Sequence, residues 1–131
     1  MGIVELAEQA QREVQSIEVA DALEQAEAGS LVFVDVRDIR EMEKSGTIDG
    51  ALHAPRGMIE FWFDPQSPYF REVYGQADKT YVLFCNADWR SALSAKSLQD
   101  MDIANVAQLK GGLPAWREAG GAVAEKASKP V

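Results

Sequence analysis

Two unbroken apolar runs, Leu31-Val32-Phe33-Val34 and Tyr81-Val82-Leu83-Phe84, most constrain how this chain folds. Each is too short for a helix and lacks the alternation of a strand with one wet face. Each therefore reads as a strand covered on both sides. Asn105 to Leu109 is a third strand, and Ala51 to Ala54, ended by Pro55, is a weaker fourth. Helical spacing lies between them. Ile3, Leu6, Ala7, Ala10 and Val14 mark an amphipathic N-terminal helix, and Val19, Ala22, Leu23 and Ala26 mark a second, stopped by Gly29. Ile39 to Lys44 is a short helical turn closed by Ser45-Gly46, and Met58 to Phe63 is also helical. Residues 90–101 form the best helix, with Ala92, Leu93, Ala95, Leu98 and Met101 near one face. Asp64 to Gln76 holds Pro65, Pro68 and Gly75 and reads as a long surface loop. Gly111-Gly112 turns into a last short helix ending near Gly120-Gly121.

Strands alternating with helices imply an α/β fold with a mainly parallel sheet. The chain's 131 residues suit one such domain. We expect a helix over 1–15, the domain over 16–123 and a polar tail over 124–131. A formal net charge of -8 argues against non-specific binding to nucleic acid or to an anionic membrane. No apolar run approaches the roughly 20 residues needed to cross a bilayer. Glu5, Glu8 and Glu13 stand where a signal peptide needs a basic start and an apolar centre, so the chain reads as cytoplasmic. One cysteine and one histidine exclude a disulfide scaffold and a zinc site built from several such ligands. No metal or cofactor is expected.

In folds of this class ligands bind beyond the carboxyl ends of the strands. That points to Asp35–Arg40 and to Cys85–Ser91. Cys85 sits at the end of a strand, and the next residues, Asn86-Ala87-Asp88-Trp89-Arg90-Ser91, lead straight into the strongest helix. Backbone N–H groups of such a loop can converge as an anion nest, stabilise a thiolate and make its sulfur a nucleophile. The Arg90 guanidinium can reach an anion held over the sulfur, and Ser91 can cap the helix. The plain alternative is that a lone cysteine after an apolar strand is a small buried hydrophobe.

Here the chain resembles the rhodanese-like domains, from about Ile17 to Gly121. Four segments carry the likeness. Val34-Asp35-Val36-Arg37, followed by Glu41, is similar to the family's Asp-x-Arg opening. Gly46 to Ala51 with Pro55 is similar to its Gly-His-Ile-x-Gly-Ala stretch. Cys85 to Ser91 is similar to the family's Cys-x-x-Gly-x-Arg-Ser, and Leu109-Lys110-Gly111-Gly112 with Trp116 resembles the closing Gly-Gly-x-x-x-Trp. The resemblance implies a central parallel five-stranded sheet with helices on both sides, plus the extra N-terminal helix. It implies a sulfurtransferase with Cys85 as nucleophile, which takes a sulfane sulfur from a small anionic donor such as thiosulfate. The persulfide then passes to cyanide, a thiol or an acceptor protein. Asn86, Ala87, Asp88, Trp89 and Arg90 would form the cradle, with no metal or organic cofactor. Asp35 and Arg37 would be a structural pair, and Arg56 a candidate for binding the anionic donor.

Cys85 and Arg90 have four residues between them, where the rhodanese-related dual-specificity phosphatases have five. The shorter loop favours sulfur over phosphate. Asp88 stands where many members have glycine. A carboxylate there would repel an anionic donor if it faced the thiolate, and would not if it pointed outward or paired with Arg90. Thr47 replaces the usual histidine, and His53 reads as a packing residue. Phe61, Trp62, Phe63, Tyr69 and Phe70 are expected to pin the Pro65/Pro68 loop onto the core. A binding or regulatory module that has lost turnover, and a phosphatase-like hydrolase, stay open at this point.

Overall fold

The computed structural model describes residues 1–125; residues 126–131 of the expected polar tail lie outside the described residues. In chain order the elements are α1 (Ile3–Glu13), β1 (Ser16–Ile17), α2 (Val19–Glu27), β2 (Leu31–Asp35), α3 (Ile39–Ser45), β3 (Thr47–Ile48) and β4 (Leu52–His53). They continue with α4 (Ile59–Phe63), β5 (Thr80–Phe84), α5 (Trp89–Asp100), β6 (Val106–Leu109), α6 (Gly112–Glu118) and β7 (Val123–Ala124). Five strands form one sheet in the order β1-β6-β5-β2-β4, and every neighbouring pair is parallel. The expected parallel α/β architecture is what the chain adopts. β3 and β7 make a separate antiparallel pair, which brings Ala124, assigned to the tail, into a strand. That pair and β1 are two residues each, too short to leave a period in the sequence.

The central strands explain themselves. Their β-branched and aromatic residues suit an extended backbone, and successive side chains point to opposite faces. On β5, Tyr81 and Leu83 enter one core with Val34, Ile59, Phe63, Ala92, Ala95 and Leu98. Val82 and Phe84 enter the other with Phe33, Val19, Ala22, Leu113 and Trp116. The sheet is thus covered by α1, α4 and α5 on one side and by α2 and α6 on the other. Cys85 continues the Tyr81–Leu83 alternation and faces the α5 side.

This topology fixes where a site can form. After β2 the chain moves to β4 at one edge; after β5 it moves to β6 toward the other. The chain leaves these two neighbouring strands in opposite directions at their carboxyl ends, which opens a crevice there. The segments after Asp35 and after Phe84, paired in register, meet across it.

The aromatic loop is pinned only in part. Phe63 is buried, stacks on Tyr74 at 4.4 Å and meets Tyr81 edge-on at 5.3 Å. The Arg71 guanidinium lies 3.5 Å above Trp62. Phe61 and Tyr69 instead stay exposed and touch each other edge to face, because both cores are already closed beneath them.

Gly112 shows how closely the last turn approaches the Cys85 backbone. It has φ +62°, and a Cβ built on it would lie 2.1 Å from the Cys85 carbonyl oxygen. The Leu113 N–H donates to that same oxygen at 3.0 Å. Alanine at Gly112 must therefore both strain its own backbone and push the Cys85 carbonyl aside. Urea unfolding of Gly112→Ala is expected to show a loss of about 2–4 kcal/mol.

Candidate active site

The crevice is built on an ion pair that no water reaches. Asp35, the last residue of β2, and Arg37 are both 0% exposed. Arg37 donates from Nε and Nη2 to the Asp35 carboxylate at 3.0, 3.2 and 2.8 Å. It also reaches the Gly46 carbonyl at 2.6 Å, Ser45 Oγ at 3.0 Å and Asn86 Oδ1 at 3.4 Å. Thr47 Oγ1 donates to Asp35 at 2.8 Å, which is the role of the residue that replaces histidine. His53 closes the group by donating from Nε2 to the Arg37 carbonyl at 2.7 Å. One guanidinium thus holds β2, the α3–β3 turn and the loop after β5 together.

The loop starts at Cys85, which is 1% exposed and is the free cysteine of the chain. Asp88 takes the left-handed conformation, φ 66° and ψ 0°, and turns the backbone from the strand into α5. Aspartate tolerates that region better than most residues. Its carboxylate does not face the thiol. Both oxygens accept from the Gly111 N–H, at 2.8 and 3.0 Å. Neither proposed alternative holds in its simple form: the carboxylate is neither loose on the surface nor paired with Arg90. It ties the loop to the turn before α6.

Arg90 is taken by Glu41. Its Nη1 and Nη2 donate to the two carboxylate oxygens at 2.7 and 2.9 Å, a bidentate pair about one third exposed on each side. The pairing holds the Glu41 carboxyl below its ordinary range and raises Arg90 further. Glu41 is itself fixed, because Asp38 and Glu41 form a capping box at the start of α3. The Arg40 guanidinium and N–H lower the neighbouring Asp38 carboxyl to about 2. Asn86 donates to Glu41 at 3.4 Å and accepts from Arg37, so it joins the two ion pairs.

Among the described residues, the backbone N–H groups of Asn86, Ala87, Asp88, Trp89 and Arg90 donate to no protein acceptor. They are free to serve an anion. Trp89 is exposed at the loop's rim. Arg56 is exposed on the short 3₁₀ turn Arg56–Met58 that follows Pro55, at the carboxyl end of β4. Ser91 does not cap α5. It lies inside the first turn, fully buried, 3.4 Å from Cys85 Sγ and 2.8 Å from Gln108 Oε1. The partner role of Glu41 and the place of Gln108 emerge from the fold. A glutamine within a four-residue strand whose other members are apolar was the available signal for the second.

Comparison with known proteins agrees with this geometry. The family model for the rhodanese-like domain matches residues 18–119. No curated protein matches the chain. Among solved structures, a protein of unknown function from Rhodopseudomonas palustris, called a possible tyrosine phosphatase, is 43% identical. It has a TM-score of 0.86, with 95% of both chains covered. A thiosulfate sulfurtransferase from Pseudomonas aeruginosa is 23% identical with a TM-score of 0.78, over 95% of this chain and 22% of that one. A human single-domain sulfurtransferase is 22% identical with a TM-score of 0.67, over 79% of this chain and 95% of that one. The last two likenesses concern the fold alone.

Two outcomes follow for variants. Asp35→Ala leaves Arg37 charged and buried without its carboxylate, and chemical denaturation should report a loss of about 3–5 kcal/mol. Asp88→Gly removes a carboxylate that already points away from the sulfur. Thiosulfate:cyanide turnover should not rise, while stability falls by about 1 kcal/mol with the Gly111 bond.

Proposed function

The chain belongs to the rhodanese-like family, and on that footing we propose that it is a cytoplasmic sulfurtransferase working through a persulfide on Cys85. The observation that carries the proposal is the arc of unpaired N–H groups from Asn86 to Arg90, set at the end of a central strand beside a buried cysteine. Such an arc stabilises negative charge on the first sulfur and on a second sulfur attached to it.

In the proposed cycle the Cys85 thiolate attacks the sulfane sulfur of a thiosulfate-like donor. A new S–S bond forms, the donor's own S–S bond breaks, and sulfite leaves with the electron pair. Cyanide or a thiolate then attacks the outer sulfur of the persulfide. It departs as thiocyanate or as a new persulfide, and Cys85 is restored as thiolate. No external oxidant or reductant enters. Asn86, Ala87, Asp88, Trp89 and Arg90 hold the anions through their N–H groups. Arg90 contributes a guanidinium already shared with Glu41, which takes one N–H from each Nη, so the second N–H of each and the Nε–H are left for the donor. Arg56 is the remaining candidate cation for an approaching anion, and the exposed Trp89 offers a surface to a thiol or a protein acceptor. The loop of four residues between Cys85 and Arg90 supports sulfur rather than phosphate as the group carried.

Intact-protein mass spectrometry after incubation with thiosulfate tests the reading, beside a Cys85→Ser chain. We expect the native protein alone to gain one sulfur and to lose it to cyanide. Phosphate release from an aryl phosphate, with no sulfur uptake, would overturn it.

A further inference from the structure

Gln108 lies in the middle of β6, and all four residues of that strand are buried. An amide costs stability there unless both its ends are bonded. Both are. Gln108 Oε1 accepts from Ser91 Oγ at 2.8 Å, and Nε2 donates to Ser16 Oγ at 3.1 Å. Ser91 in turn accepts from Cys85 Sγ at 3.4 Å. The parallel register pairs Ser16 with Gln108 directly, so the contact across the two strands is built in. Ser91 is 0% and Gln108 2% exposed, while Ser16 is exposed and lines with Gln108 a polar groove beside Gln11 and Arg12 of α1. A single file of hydrogen bonds therefore runs from the nucleophile, along the α5 face of the sheet, to solvent.

We propose that Gln108 is a positioning residue for Cys85, acting through Ser91 as a reversible hydrogen-bond relay. With the sulfur protonated, the file runs one way: Cys85 donates to Ser91, Ser91 to Gln108, and Gln108 to Ser16. When the thiol proton leaves to solvent, Ser91 must turn its hydroxyl toward the anionic sulfur. Gln108 Oε1 then loses its donor. A half-turn of the amide places Nε2 on Ser91 Oγ and Oε1 on the Ser16 hydroxyl. Every member is satisfied again with the direction reversed. Among side chains of this shape only an amide carries a donor and an acceptor at equal reach. Neither Leu and Met, with no amide, nor Glu, which when ionised only accepts, can serve both states. The relay thus holds Ser91 as an oriented donor to the thiolate, and to the persulfide anion after loading.

The charged groups near the sulfur are Arg90 of α5 with Glu41 of α3, and Asp35 with Arg37 at the end of β2. Asp88 is bonded to Gly111, and Lys110, just beyond β6, to Glu18. None is altered by the variants below. The experiment measures the rate at which iodoacetamide alkylates Cys85, as a function of pH, in four proteins: native, Gln108→Met, Ser91→Ala and the double variant. Alkylation needs no sulfur donor, so the result is independent of whether thiosulfate is the substrate.

Gln108→Met is expected to slow alkylation at neutral pH about tenfold and to move the rate profile to higher pH by about one unit, with the rates converging once the thiol is fully ionised. In the Ser91→Ala background the same change should have no effect, because the intermediary is gone. An equal slowing in both backgrounds, or none in either, would overturn the relay. Gln108→Asn keeps the polarity but withdraws the amide from Ser91. It is expected to show the same dependence on Ser91, and serves where methionine disturbs the fold.

Discussion

The Asp35–Arg37 pair is the interaction on which the rest of the site depends. Two opposite charges without solvent are costly unless each is fully bonded. Here the guanidinium spends its donors on a carboxylate, a carbonyl, a serine and an asparagine, and the carboxylate also receives a threonine hydroxyl. These partners come from the end of β2, from the α3–β3 turn and from the loop after β5. Arg37 therefore sets the distance between the two segments that diverge from the sheet, and with it the width of the crevice over Cys85.

The loop after Cys85 is held at three further points. Asp88 bonds the N–H of Gly111, the Leu113 N–H bonds the Cys85 carbonyl, and Arg90 grips Glu41. Each of these contacts takes a side chain or a carbonyl, and none takes a loop N–H group. The loop is thereby fixed from outside while its donors stay free. A loop that used its own N–H groups to hold its shape would have nothing left for an anion. The aspartate at the position where many members carry glycine fits this scheme. It accepts the left-handed backbone and adds an anchor, and its charge is turned away from the sulfur.

Much of this was legible in the residues. The apolar runs of β2 and β5 announced a covered parallel sheet, because four consecutive apolar side chains rich in β-branched and aromatic residues, bounded by turn signals, suit a short strand covered on both faces. The helix after Cys85 was visible from the spacing of Ala92, Ala95 and Leu98. Cys85 and Arg90 stood out as a strand end and a helix start joined by a short loop. The partners of those residues were not legible. Glu41 lies 49 positions from Arg90 and Asp88 23 from Gly111, and a contact that crosses the sheet leaves no local period.

The sequence by itself determined the class of fold, the place of the cysteine at a strand's end and the length of the loop after it. These follow from nearest-neighbour patterning, which side-chain shape and backbone preference impose along the chain. Only the tertiary structure decided where the charges point. Asp88 could have faced the sulfur, but the Gly111 N–H draws its carboxylate away, while Glu41 takes two of the donors of Arg90. It also decided that a buried glutamine lies behind the thiol. Such choices depend on which polar groups meet after the cores close, where an unpaired donor or acceptor is too costly to leave.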